Sequence, residues 1–227
     1  MTADTMTDVM TFTSFGIPLW AELVAAGLGG LQGAMFAAGL KERRVDVLGV
    51  VVIGIGVALG GSLLRDVLLD ERPVVVWSSW YLVVAAASAL LGMAVQPLLR
   101  RVDWVVIVLD AVVIGTFGAI ATSKALALGV GAAGAVLIGV IGGVGGSIIR
   151  DLLLGLPVAF LHVGSLYAVA AAAGAASFVL LEALGVGVVV DGIVCVVVAA
   201  GVRLAAVRFT WTFPEQRAIG RLRSHGS

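Results

Sequence analysis

The ten-residue word GGSLLRDVLL at positions 60–69 recurs as GGSIIRDLLL at positions 145–154. In each copy an adjacent glycine pair, Gly60-Gly61 or Gly145-Gly146, precedes a hydroxyl, Ser62 or Ser147, and then the charges Arg65-Asp66 or Arg150-Asp151. Glycines cost a helix about 1 kcal/mol each and permit a bend or a local loss of hydrogen bonds. In hydrocarbon, freed carbonyls must face protein or water. The word thus holds the parts of a polar path through an apolar medium. Close helix packing through small residues is the competing reading of the glycines. For the charges the alternatives are pore lining and structural ion pairing with snorkelling. Sequence neighbours point about 100° apart on a helix, so Arg65 need not pair with Asp66.

Further polar residues cluster at 110–124: Asp110, Thr116, Thr122, Ser123 and Lys124. Asp110 lies about a third of the way into an apolar run, where a carboxylate facing lipid costs about 2.5–3.5 kcal/mol, so it is expected to line a cavity or bond a neighbouring helix. Lys124 stands near the end of the same run and reads as pore-lining or snorkelling. Glu22, Glu182 and Asp191 fall near run ends and read as interfacial, and His162 as a loop residue. Cys195, the single cysteine, reads as a small packing residue. No nucleophile–base pair or metal-ligand set is recognisable. The stretch Gly142-Gly143-Val144-Gly145-Gly146 lacks the Lys-Ser/Thr ending of a phosphate-binding loop. An enzyme is not expected, nor a cofactor, nor any metal beyond a permeating cation.

The elements that must position these residues are membrane spans. The chain of 227 residues is 61% hydrophobic and 12% charged, with mean hydropathy +1.16, whereas soluble domains carry about 25% charged residues. The formal net charge is zero, which offers nothing to nucleic acid. At about 20 residues per span, seven spans fit: about 18–40, 47–69, 79–99, 103–125, 130–154, 163–184 and 188–207. The acidic start lacks a basic leader region and does not read as a cleaved signal peptide.

Lys41, Arg43, Arg44, Arg100, Arg101, Arg208, Arg217, Arg221 and Arg223 gather in the first and third connections and the tail. The positive-inside rule then places the N-terminus outside and the C-terminus in the cytoplasm. The repeated words end the second and fifth spans, and an odd number of spans separates them. The second copy must therefore cross the membrane in the opposite direction. The expected fold is an all-α integral membrane protein of two inverted three-helix repeats plus a seventh helix. Its parts are an extracytoplasmic segment 1–17, repeats 18–99 and 103–184, the seventh helix 188–207 and a cytoplasmic tail 208–227. Gly33 with Gly118, Pro73 with Pro157, and Trp80-Tyr81 with Leu166-Tyr167 add weaker matches between the halves.

Two words of the form Gly-Gly-x-x-x-Arg-Asp closing the second and fifth of seven spans resemble the trimeric intracellular cation (TRIC) channel family, in its bacterial and archaeal branch. The resemblance covers about residues 19–208. It implies a homotrimer in the plasma (inner) membrane, with contacts to lipid. Each protomer would carry an ion path bounded by kinked second and fifth helices, permeable chiefly to potassium or other monovalent cations. Carried over by position, the kinks are Gly60-Gly61 and Gly145-Gly146, and the charged pairs Arg65-Asp66 and Arg150-Asp151. Animal members carry a Lys-Glu-Val word on the fourth helix, where this chain reads Lys124-Ala125-Leu126. From residues alone a small-solute secondary transporter built on inverted repeats is the alternative, since such folds rock around broken helices. Few acidic residues near midplane favour the channel.

Overall fold

The computed structural model describes residues 17–40, 45–99, 103–159 and 166–211. These fold into eight helices: α1 (Leu19–Gly39), α2 (Val47–Leu68), α3 (Val74–Trp77), α4 (Ser79–Leu99), α5 (Asp103–Ala127), α6 (Ala132–Leu153), α7 (Tyr167–Ala183) and α8 (Val188–Arg208). α1, α2, α4, α5, α6 and α8 are long and apolar enough to cross a membrane, and α7 is a shorter apolar helix of 17 residues. Six spans plus one short helix thus stand where seven were expected. The chain is an all-helical, multi-pass membrane protein. His162 and the arginines of the first and third connections and of the tail beyond Arg208 lie outside the described residues.

α1, α2 and α4 pack on one another, and so do α5, α6 and α7; α2 against α6 and α1 against α5 join the two groups, and α8 lies on α5 and α7. Small residues make this possible. Gly33 approaches Gly54, where an added Cβ would stand 3.3 Å from the Gly54 Cα. At the same offset Gly118 faces Gly139, 3.5 Å from its carbonyl oxygen. Many large apolar side chains, among them Trp20, Leu48, Trp80, Leu98 and Val197, point outward instead. Only 17% of the apolar window of α4 lies inside the protein, against 61% for α5, the most enclosed span.

The α2–α6 contact gives direction. Gly56 meets Ile149 and Leu153, Gly60 meets Ile149 and Gly146, and Leu64 meets Gly145. Numbers rise along one helix as they fall along the other, so the two copies of the repeated word run antiparallel.

Both copies end alike. Leu69 and Leu154 cap their helices, and the next residue is left-handed, Asp70 at φ 55° and Gly155 at φ 57°. Glu71 N–H then bonds Asp66 O at 2.9 Å, and Leu156 N–H bonds Asp151 O at 2.8 Å. This is the Schellman arrangement, which satisfies carbonyls that a helix end leaves open.

Candidate functional site: two charged clusters about a glycine crossing

The glycine pairs do not break their helices. α2 and α6 are continuous α-helix through Gly60-Gly61 and Gly145-Gly146, which corrects the expectation of a helix break with freed carbonyls. What the glycines do here is permit two backbones to touch. A Cβ on Gly146 would lie 2.5 Å from Val57 O, one on Gly145 3.0 Å from the Gly61 Cα, and one on Gly61 would strike the Gly142 carbonyl. The serines are turned onto their own helices: Ser62 Oγ donates to Leu59 O at 2.9 Å and Ser147 Oγ to Val144 O at 2.7 Å.

Arg65 and Arg150 follow the crossing by four or five residues, roughly 6–8 Å along each axis. Because the helices are antiparallel, the two arginines leave the crossing in opposite directions. Each nucleates a separate cluster.

In the first cluster Arg65 Nε bonds Asp66 Oδ1 at 2.7 Å, so the neighbours do pair. Lys124 Nζ reaches the same oxygen at 2.9 Å from α5. The other carboxylate oxygen of Asp66 accepts the Val74 N–H at 3.2 Å, anchoring the start of α3. Arg65 Nη1 stands 3.8 Å from Glu22 Oε1, and the Tyr81 hydroxyl donates to Glu22 Oε2. A small space of about 10 Å³, enough for one water, lies among Glu22, Ser62, Arg65, Tyr81 and Phe117.

The second cluster repeats the plan. Arg150 Nε and Nη2 bond Asp151 Oδ1 at 2.9 and 2.8 Å, and Asp151 Oδ2 accepts the Ala159 N–H at 2.9 Å. Arg150 Nη1 stands 3.7 Å from Asp110 Oδ1. Asp110 is further held by Gln32 Nε2 at 2.9 Å, by the Tyr167 hydroxyl, and by Arg203 Nε at 3.9 Å. Two rings receive guanidiniums: Phe36 that of Arg150 and Tyr167 that of Arg203, each at 3.9 Å, a contact that lowers the cost of a buried cation.

Each cluster therefore contains two carboxylates, two cations and a tyrosine: Glu22, Asp66, Arg65, Lys124 and Tyr81 in one, Asp110, Asp151, Arg150, Arg203 and Tyr167 in the other. Formal charge cancels in both. Arg65, Asp66, Arg150 and Asp151, the charges of the repeated word, are 0–2% exposed. Ion pairs taken so far from water persist only with matched partners, since an unpaired buried charge costs several kcal/mol.

Two readings from sequence change here. Lys124 does not snorkel but is buried on Asp66. Asp191, expected at the interface, is fully buried. Glu22, in the first turn of α1, is also an ion-pair partner of Arg65. Glu182 is exposed. Gln32, Phe36 and Arg203 carried no sequence signal. The tyrosines did, because Tyr81 and Tyr167 follow matching positions. The correspondence of Glu22 with Asp110 was hidden because they stand about one helical turn out of register, keeping the face but not the offset.

The protein-family model for a glycine transporter matches this chain twice, over residues 19–97 and 107–183, one copy of the repeated word in each segment. The UPF0126 inner membrane protein YadS of Escherichia coli (strain K12) is 39% identical over 136 residues, covering 59% of this chain and 64% of that protein. The chain thus spans somewhat under two thirds of that relative's length. A UPF0126 membrane protein of Deinococcus radiodurans is 34% identical over 164 residues, 71% of this chain and 75% of the relative. Among solved structures, the TRIC trimeric intracellular cation channel orthologue from Rhodobacter sphaeroides is similar with TM-score 0.76 at 26% identity, covering 85% of this chain and 98% of that one. A structure described as the basis for conductance through TRIC cation channels gives TM-score 0.74 at 25% identity, with 87% and 96% covered.

Proposed function

The chain belongs to the bacterial TRIC family, whose sequence model bears the description glycine transporter, and from that premise we propose that it is a cation channel, chiefly potassium-permeable, rather than an enzyme. The observation that carries this reading is the pair of charge-balanced clusters on opposite sides of the Gly60-Gly61/Gly145-Gly146 crossing. Ionisable residues buried within spans are costly and commonly mark ion pathways, and a buried ion pair is weak evidence of a purely stabilising role. The path would run between the two helix groups, past one cluster, the α2–α6 crossing and the other cluster.

In each cluster one cation comes from outside the repeated word, Lys124 from α5 and Arg203 from α8. These two close the path by occupying the carboxylates that a permeating cation would otherwise meet. Opening then requires Lys124 and Arg203 to leave Asp66 and Asp110, while Arg65 and Arg150 stay on their neighbours. Rocking of α2 over α6 about the glycine contact is the motion that would separate them, and it takes over the role first given to helix kinks.

The assembly proposed is a homotrimer in lipid, in the inner membrane, with α7 as the seventh span and the two helix groups as inverted repeats. The antiparallel α2–α6 contact supports the inversion. The arginine-rich first and third connections and tail support an external N-terminus.

A transporter for a small zwitterion is the second reading, favoured by the family description and by Arg65 and Glu22 facing one small space. An arginine and a glutamate suit a carboxylate and an ammonium. The space holds one water, however, and glycine needs several times that volume.

Purified protein reconstituted in planar bilayers under a potassium gradient tests the two together. Discrete unitary currents are expected. Saturable glycine exchange in vesicles without unitary events would replace the channel by the transporter.

A further inference from the structure

Among the described residues, Asp191 is the buried carboxylate that no donor satisfies. It stands in the first turn of α8, is fully buried, and neither carboxylate oxygen receives a hydrogen bond. The group within hydrogen-bond reach is another carboxyl, that of Glu182 in the last turn of α7. The intervening turn, 184–187, bends through left-handed Gly185 and Gly187 at φ 72° and 119°.

We propose that Glu182 is a proton-binding site, its protonated carboxyl donating a hydrogen bond to buried Asp191 and so fastening the start of α8 to the end of α7.

Among the described residues the surroundings supply no other neutralising group. On α7 Glu182 is the only charged residue. On α8 Arg203 and Arg208 follow Asp191 by more than three turns, and the nearer titratable group, Cys195, turns its thiol to Gly115 O on α5. Leu126 and Ala119 of α5 share a cluster with Val188 and Cys195, so the end of α5 lies beside the start of α8. The cation at that end, Lys124, is bonded to Asp66, and Asp110 belongs to the second charged cluster. Two ionised carboxylates facing each other in this apolar setting repel, and neither can donate. One proton converts one of them into an O–H donor and leaves the other as its acceptor. A divalent cation would want six or more oxygen ligands, and no third acidic, histidine or cysteine side chain joins the pair among the described residues. Glu182 is exposed, so the proton exchanges with bulk water through it. As pH rises the proton leaves, two adjacent anions remain, and the α7–α8 attachment loosens. The site stands apart from both charged clusters and does not depend on the channel reading.

The test uses the full chain in detergent, comparing wild type with Glu182→Gln and Asp191→Asn. Infrared difference spectra at neutral pH should show one protonated-carboxyl C=O band that both variants lose. The wild-type unfolding midpoint should fall by several degrees as pH rises, whereas Glu182→Gln, whose amide donates to Asp191 at every pH, should stay flat. Should Asp191→Asn fail to fold, Glu182→Gln alone decides, because its side chain is exposed. An unchanged band and pH profile in Glu182→Gln would overturn the proposal. So would a rise of the wild-type midpoint at alkaline pH on adding magnesium, calcium or potassium that Glu182→Gln lacks, because a metal cation would then be the occupant.

Discussion

Lys124 Nζ lies 2.9 Å from Asp66 Oδ1, across 58 residues of chain and across the boundary between the two halves. A helix of the second repeat thus completes the charge balance of the repeated word in the first. The reverse role falls to Gln32 and Phe36 of α1, which reach Asp110 and Arg150 in the second half. The halves are interlocked at their charges as well as at their glycines.

Replacing Lys124 by Met should leave Asp66 with Arg65 and the Val74 N–H and cost about 3–5 kcal/mol, the usual penalty for removing one partner of a buried pair. Adding Asp66→Asn should recover part of that loss. A double-mutant cycle on unfolding in detergent measures the coupling, and strictly additive losses would deny the contact its energetic role.

At the crossing, Gly146→Val should prevent α2 and α6 from meeting, because even the Cβ would stand 2.5 Å from Val57 O. Gly201→Ala on α8 meets nothing within 4 Å and should be neutral or stabilising by up to about 1 kcal/mol. Folded yield by size-exclusion chromatography compares them. Equal yields would mean the crossing adjusts freely.

If Lys124 and Arg203 close the path, Arg203→Gln should raise potassium flux into vesicles while leaving the protein folded, since Asp110 keeps Arg150, Gln32 and Tyr167. Reduced flux in a folded Arg203→Gln protein would assign Arg203 to the conducting path itself.

Asp66 and Asp151 are enclosed in this conformation and bonded to cations and backbone N–H groups. Neutralising either to Asn should lower thermal stability by a similar amount at low and high ionic strength, because buried pairs are screened little. A loss confined to low salt, seen in conductance and not in stability, would instead place these carboxylates at open entrances.

The repeated word, the hydropathy and the spacing of the runs by themselves determined that this chain is an all-helical membrane protein built from two related halves. Such features are local: a stretch of about 20 apolar residues must become a helix in lipid whatever surrounds it, and a duplicated ten-residue word reports duplication without reference to contacts. The polarity of the Arg-Asp pairs was legible for the same reason, as were the matching tyrosines. What the glycine pairs do was not, because a bend and a close approach use the same residue, and only the position of Gly142, Gly146 and Val57 across from them selects the approach. Nor was the short helix Val74–Trp77, which begins where Asp66 reaches eight residues along the chain to bond its first N–H. The cluster members beyond the adjacent Arg-Asp bonds were decided by tertiary structure alone. Glu22, Lys124 and Arg203 lie on three different helices, at offsets that the repeat does not share. Beyond its sequence neighbour, a charge buried away from water takes whichever counter-charge the packing brings within reach, and the repeat does not encode which that is.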